Sequence, residues 1–253
     1  MTFLWEGGMW LKIRRFLKLL FPDGLYCFGC GAIIDDSRPY GLCDDCVAKF
    51  HWANKKVCEK CGKIMKEEGV FSRCSDCRAD EPPMVQGFTC FLYGLYEREV
   101  IQAFKYGGAG YMADKLGRLL WDRLQPEIAR GLTWDYIVPV PIHKKKKKKR
   151  GYNQAALLAR RLGELSGIPV LEAGLVRVRN TPAMSHLDRH QRALNLEGAF
   201  RVHEKVAEKF SGKRLLLVDD VYTTGTTASQ CTLVLMEQGA EAVYVITLAA
   251  GAN

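Results

Sequence analysis

The chain of 253 residues has no apolar run of the roughly 20 residues that a bilayer-crossing helix needs. Its most hydrophobic early stretch, Trp10 to Phe21, is interrupted by Lys12, Arg14, Arg15 and Lys18. No membrane span or secretory signal is legible, and a cytoplasmic location is expected. Within that stretch Trp10, Ile13, Phe16, Leu17 and Leu20 recur at helical spacing, which predicts an amphipathic helix docked on its own domain, with contact to a membrane surface as the alternative. No lysine follows Gly225 in the threonine-rich loop around it, which excludes a Walker-type nucleotide site there. Disorder is excluded as well, because 48% of residues are hydrophobic and 26% charged. The length allows one α/β domain and a smaller module.

Charge is plentiful but badly distributed. The formal net charge is +9, and the run Lys144 to Lys149 with Arg150 supplies seven positive charges, leaving +2 for everything else. Such a run repels itself, so it reads either as a solvated loop or as a segment awaiting phosphate, pyrophosphate or nucleic acid.

Eight of the ten cysteines form four CxxC pairs: Cys27 and Cys30, Cys43 and Cys46, Cys58 and Cys61, Cys74 and Cys77. Adding 31 to each member of the first two pairs gives the second two, so the segment is an internal repeat. Two thiolates from each of two knuckles make a tetrahedral sulfur site suited to structural zinc, with no position open for water or substrate. Two zinc ions are expected; a disulfide framework is the competing reading, disfavoured without a secretory signal. Identical spacing favours each repeat closing its own site, with a cross-braced arrangement as the alternative. Cys90 and Cys231 read as buried small apolar residues. Between the copies, Lys49, Lys55, Lys56, Lys60, Lys63 and Lys66 surround Phe50, His51 and Trp52, a composition that fits either base stacking on a single strand or a solvated surface.

From Gln86 onward strands and helices alternate, which predicts a parallel sheet covered on both faces, with ligands at the carboxyl ends of its strands. The expected division is residues 1–83 for the helix and cysteine module and 84–253 for the sheet domain. At one strand end stands LLLVDDVYTTGTT, residues 215–227. Here Asp219 and Asp220 precede Thr223, Thr224, Gly225, Thr226 and Thr227 at the start of a helix. Free N–H groups and hydroxyls there favour a phosphate, whereas two carboxylates suit a diol or a metal.

This run resembles the phosphoribosyl pyrophosphate signature of type I phosphoribosyltransferases. That resemblance implies that Asp219 and Asp220 bind the ribose hydroxyls and that Thr223 to Thr227 cradle the 5′-phosphate. Together with VPVPIHKKKKKKRGYNQAALLAR, TPAMSHLDRHQRALNLEGAF and AFKYGG, the chain resembles the ComF family of competence proteins and their GntX-like relatives, which join a double zinc ribbon to such a domain. The family pattern puts Lys144, Lys145, Lys146 and Arg150 on the pyrophosphate side, with Lys105 as a further phosphate contact and magnesium accompanying the ligand. It makes residues 179–200 a mobile cover: Thr181, Leu187, Arg192, Asn195 and Phe200 agree, and Met184 replaces a usual glutamine. The implied partners are phosphoribosyl pyrophosphate, single-stranded DNA and proteins of the DNA uptake machinery. The implied reaction, where one occurs, is displacement of pyrophosphate by a nitrogen nucleophile. Donor binding without transfer is the alternative, because Thr223 stands where purine-salvage enzymes of one type carry a carboxylate to accept the proton.

Overall fold

In the computed structural model, residues 26–252 are described apart from 36, 67–69, 107 and 182–188. The helix expected within residues 10–21 and the positions of Met184 and Leu187 therefore lie outside the described residues.

Alternation within the strands builds two cores at once. Strands β1 (Gly87–Leu92), β2 (Tyr136–Pro139), β5 (Arg214–Tyr222) and β6 (Ala242–Ala250) are apolar almost throughout, as strands covered on both faces must be. They pair in parallel in the order β1-β6-β5-β2. Ile137, Leu216, Val218, Ile246 and Leu248 point into one cluster, and Val138, Leu215, Leu217, Val243 and Val245 into the other. Each fully buried side chain of this size contributes about 1.5–3 kcal/mol. The first cluster is covered by α3 (Leu95–Tyr106), α4 (Ala113–Ala129) and α6 (Gln154–Ser166). The second is covered by α7 (Arg189–Leu196) through Leu196, α8 (Thr226–Glu237), the antiparallel pair β3 (Leu175–Arg177) and β4 (Phe200–Val202), and the turn holding Phe210. The expected parallel sheet with helices on both faces is thus present.

The lysine run is a helix, α5 (Lys144–Arg150), where a loop was the expectation. Lysine is a good helix former, and His143 caps the first turn by accepting the Lys145 N–H on Nδ1 at 3.3 Å. Gly151 closes it in the left-handed conformation. Local propensity and caps therefore outweigh repulsion among seven like charges.

The cysteine repeats contain two short helices, α1 (Asp44–Lys49) and α2 (Ser75–Ala79), each starting directly after a cysteine. They straddle the β1 edge of the sheet. The first repeat, with Cys27, Leu42, Cys46 and Phe50, joins the helix-covered core. The second, with its four cysteines and Met84, joins the opposite one. Residues 51–53 run antiparallel to β1: Leu92 N–H donates to His51 O and Ala53 N–H to Cys90 O, both at 2.8 Å.

Candidate functional site

Two four-sulfur clusters form, one from Cys27, Cys30, Cys43 and Cys46 and one from Cys58, Cys61, Cys74 and Cys77, with all ligand atoms of each within 4.8 Å of one another. The pairing is sequential, each repeat closing its own cluster. Thiolates at this spacing fit tetrahedral zinc. Among the described residues Cys90 and Cys231 are buried outside both clusters, and burial pushes the Cys90 thiol up to about 12.

The aromatic residues between the repeats do not present free faces. Phe50 is buried, with its ring centroid 5.4 Å from that of Phe91 and 5.6 Å from that of Trp52. Trp52 donates its indole N–H to Val47 O at 2.7 Å. Lys63 is buried against Asp76 at 2.6 Å, and Lys60 pairs with Glu81 at 2.9 Å. Of the two readings of this stretch, base stacking on Phe50 and Trp52 is the one the packing does not favour, because hydrophobic burial at the sheet edge has claimed both rings. His51 is held by Glu97 of α3, fully buried, whose Oε1 accepts from the His51 backbone N–H at 2.7 Å and lies 3.0 Å from Nδ1.

At the carboxyl end of β5 the strand delivers Asp219 and Asp220 side by side, and the Asp220 N–H donates to Asp219 Oδ1 at 2.9 Å. Lys105, from the end of α3, lies on Asp220 with 2.8 Å between Nζ and Oδ2. Burial would lower the Lys105 ammonium; the Asp220 carboxylate it touches and Asp219 behind it outweigh that and hold it above its ordinary value. Asp219 is pushed well above the usual carboxylate range by enclosure and by the charge of Asp220, despite relief from Lys105. Among the described residues Lys105 is the cation in direct contact with the pair.

Beyond the acids the chain turns into α8 through Gly225, whose φ of 80° is left-handed. A Cβ there would run into the Tyr222 hydroxyl. Thr224 and Thr226 place their hydroxyl oxygens 2.9 Å apart. Thr223, Thr224, Thr226 and Thr227 line a pocket of about 40 Å³ with Asp219 and Thr247. A helix N-terminus, hydroxyl donors and close backbone approach together suit a phosphate group.

The expected cations divide between faces of α5. Lys146 and Arg150 are half-buried, and Lys146 donates to Thr181 O at 3.4 Å. Lys144 and Lys147 line a cavity of about 660 Å³ with Tyr152, Asn153, Arg160 and Arg177, which shares no wall residue with the threonine pocket. Lys145, Lys148 and Lys149 are exposed.

Two residues escaped the sequence reading. Arg177 of β3 donates to Thr181 Oγ1, and burial pulls it below its ordinary value against the opposing effects of Cys231 and Asp219. His143 is buried and lowered by that burial and by Lys144, Lys145 and Arg177, so it is neutral at pH 7. Lys146 is lowered by burial, Arg177 and Arg150. Among the described residues, burial and mutual repulsion outweigh the attractions that these three groups find. His143 was legible as a cap in front of the lysines; Arg177 carried no local signal, since only the fold brings a three-residue strand to the site.

Residues 16–95 match the family described as the double zinc ribbon domain. Competence protein F of Haemophilus influenzae is 34% identical over 152 residues, covering 59% of this chain and 66% of that protein. The DNA utilization protein YhgH of Escherichia coli K12 is 31% identical over 166 residues, covering 65% of this chain and 71% of that protein. The chain belongs to the ComF family. Competence protein ComFC of Bacillus subtilis is 36% identical over 103 residues, 41% of this chain and 39% of its own. The match spans slightly under two thirds of Competence protein F and 63% of YhgH from Salmonella typhi. Among solved structures, glutamine phosphoribosylpyrophosphate amidotransferase from B. subtilis is similar at 22% identity and a TM-score of 0.38, over 57% of this chain and 30% of its own. Adenine phosphoribosyltransferase from Thermoanaerobacter pseudethanolicus is similar at 15% identity and 0.35, over 56% of this chain and 82% of its own.

For this ComF-family chain, no helix among the described residues is long and apolar enough to cross a membrane.

Proposed function

We propose that this ComF-family protein binds phosphoribosyl pyrophosphate and works with single-stranded DNA during DNA uptake. The observation that carries the donor half is the end of β5, where two adjacent carboxylates lead into a hydroxyl-lined turn closed by a glycine that no other residue can replace without a clash. In this reading Asp219 and Asp220 accept hydrogen bonds from the ribose hydroxyls, and Thr223 to Thr227 hold the 5′-phosphate. Lys146 and Arg177, both lowered by burial, face the pyrophosphate together with Arg150 at the end of α5. Lys105, 2.8 Å from its Oδ2, orients Asp220. Magnesium, bound with the ligand, would neutralise pyrophosphate charge beside the acids. The division of labour follows residues 1–83 as zinc-bound support and 84–253 as the binding domain. A transfer step would need a group to take the acceptor's proton, and the Thr223 hydroxyl is a poor one at neutral pH, so the reading stops at donor binding.

The similarity to a competence protein and a DNA utilization protein supports the DNA half. The exposed lysines of α5 supply a sequence-independent electrostatic footprint for a strand.

Calorimetry with phosphoribosyl pyrophosphate and magnesium tests the donor half on zinc-loaded protein. Saturable binding that Asp220→Asn weakens by about tenfold or more is expected, from the loss of a charged hydrogen-bond acceptor. Absence of binding by correctly metallated protein would sink the reading.

A further inference from the structure

The two cysteine clusters match in sequence and in internal geometry. Cys30 and Cys43 place their sulfurs 3.7 Å apart, and so do their counterparts Cys61 and Cys74. In each copy the third cysteine's N–H donates to the first cysteine's Sγ at 3.3 Å. Access separates them. All four cysteines of the second cluster are buried, whereas Cys30 is exposed and Cys43 half-exposed.

The cause lies in what each knuckle meets. Gly62 abuts the start of β1 so closely that a Cβ would sit 2.5 Å from Gly87 O, and Gly87 N–H donates to Lys60 O at 2.8 Å. The equivalent Gly31 has no atom within 4 Å of a would-be Cβ. The second copy also buries Lys63 beside its thiolates, paired to Asp76 at 2.6 Å, where the first carries Ala32.

We propose that the Cys30–Cys43 edge of the first cluster is an oxidation site, at which a peroxide forms a disulfide and ejects one zinc while the second zinc stays bound. The exposed Cys30 thiolate attacks the peroxide O–O bond; sulfur is oxidised to sulfenic acid and one oxygen leaves as hydroxide. The Cys43 thiolate, already in van der Waals reach, attacks the sulfenic sulfur and displaces a second hydroxide. Both hydroxides take protons from solvent to become water. Two thiolate ligands are lost, so zinc departs as the aqua ion. The same chemistry is denied to Cys61 and Cys74 because an oxidant cannot reach them.

The consequence is local loosening. The first repeat is fastened to the helix-covered core by Tyr40, whose hydroxyl donates to Asp122 at 3.0 Å, and by the Phe28–Tyr111 edge contact at 6.0 Å. These contacts rest on a segment whose folding is coupled to its metal.

The test treats full-length protein carrying two zinc ions with hydrogen peroxide, follows zinc with a chromogenic chelator, and maps disulfides by mass spectrometry. One zinc per chain should leave at least about tenfold faster than the other, as site-selective thiolate oxidation requires, together with a Cys30–Cys43 disulfide. Release of both ions in one phase, a first disulfide between Cys61 and Cys74, or zinc loss without the Cys30–Cys43 bridge would overturn the proposal. Cys30→Ser removes a ligand and can fail to hold metal, so a second measurement uses the unaltered protein. N-ethylmaleimide should label Cys30 and Cys43 before any cysteine of the second cluster, and uniform labelling overturns the inference. Neither readout depends on phosphoribosyl pyrophosphate binding, so it can fail without touching that reading.

Discussion

Asp219 shows how far a single side chain can be held from comfort by its neighbours. Its carboxyl is raised by enclosure and by Asp220, and a raised acid binds its proton more tightly in the folded than in the unfolded protein. The folded state then holds more protons, so the group's contribution is present below the unfolded carboxylate value near 4 and is lost as pH rises through the folded value. At pH 7 the enclosure of this carboxyl beside Asp220 therefore costs stability. Asp219→Asn should raise the apo melting temperature at pH 7 and flatten the difference from the unsubstituted protein at lower pH, while weakening phosphoribosyl pyrophosphate binding. Calorimetric melting of both proteins from pH 5 to 8 checks this, and the zinc contribution cancels in the difference. A variant that melts lower at pH 7 would mean Asp219 is stabilised by contacts rather than strained by charge. Lys105 gives the complement: it is the one cation on buried Asp220 among the described ion pairs. Lys105→Ala should cost about 3 kcal/mol because it strands a buried carboxylate. Asp220→Asn in the same chain should recover part of that loss, a coupling that urea denaturation of the double-mutant cycle would measure.

At the scale of elements, α5 and the turn into α8 handle anions differently. The turn is rigid: Gly225→Ala places a side chain at positive φ and against Tyr222, a strain of about 1–3 kcal/mol. Binding of phosphoribosyl pyrophosphate should fall in proportion, with zinc content unchanged at two per chain. By contrast, α5 offers separate faces. Lys146 and Arg150 turn inward, whereas Lys145, Lys148 and Lys149 stand in solvent. Replacing the outward three with alanine should weaken single-stranded DNA binding and reduce the salt slope by about 2, since each phosphate contact adds about 0.7 on a single strand. Lys146→Ala should weaken phosphoribosyl pyrophosphate binding instead. Electrophoretic shifts across a salt series, beside calorimetry, distinguish the faces; equal effects of both variants on both ligands would mean one undivided basic surface. This division was not legible in a run of identical lysines, because a helical twist and not residue type separates the faces. The loop at 219–227 was legible, since its residues are contiguous and their chemistry is local. The placement of β2, β5 and β6 was legible from apolar runs, whereas the short β3 and β4 were not, and the loop expected at 144–150 neglected how strongly His143 and Gly151 cap a lysine helix.

Across the whole molecule, the repeats cover the β1 edge of the sheet. The spacing of cysteines announced two metal sites but could not reveal that each copy packs on a different core, because those contacts join residues far apart in sequence. Residues 51–53 pair with β1, Lys60 binds Gly87, and Glu97 fastens His51 from the helix side. Phe50, Trp52 and Phe91 pack in tilted and edge-to-face contacts across that seam. An uncovered, apolar edge strand is an aggregation template. Metal should therefore stabilise the sheet as well as the repeats that bind it. Stripping both zinc ions would release several buried aromatic and aliphatic side chains from the edge, each contributing about 1.5–3 kcal/mol. In a domain of this size 1 kcal/mol moves the melting temperature by about 2–4 °C. The sheet transition should then fall by about 10 °C or more, and sedimentation should show concentration-dependent association. Loss of the first zinc alone should leave the Lys60–Gly87 clamp in place and give a smaller shift without association. A sheet transition unmoved by complete chelation would mean that the repeats hang on the edge without holding it.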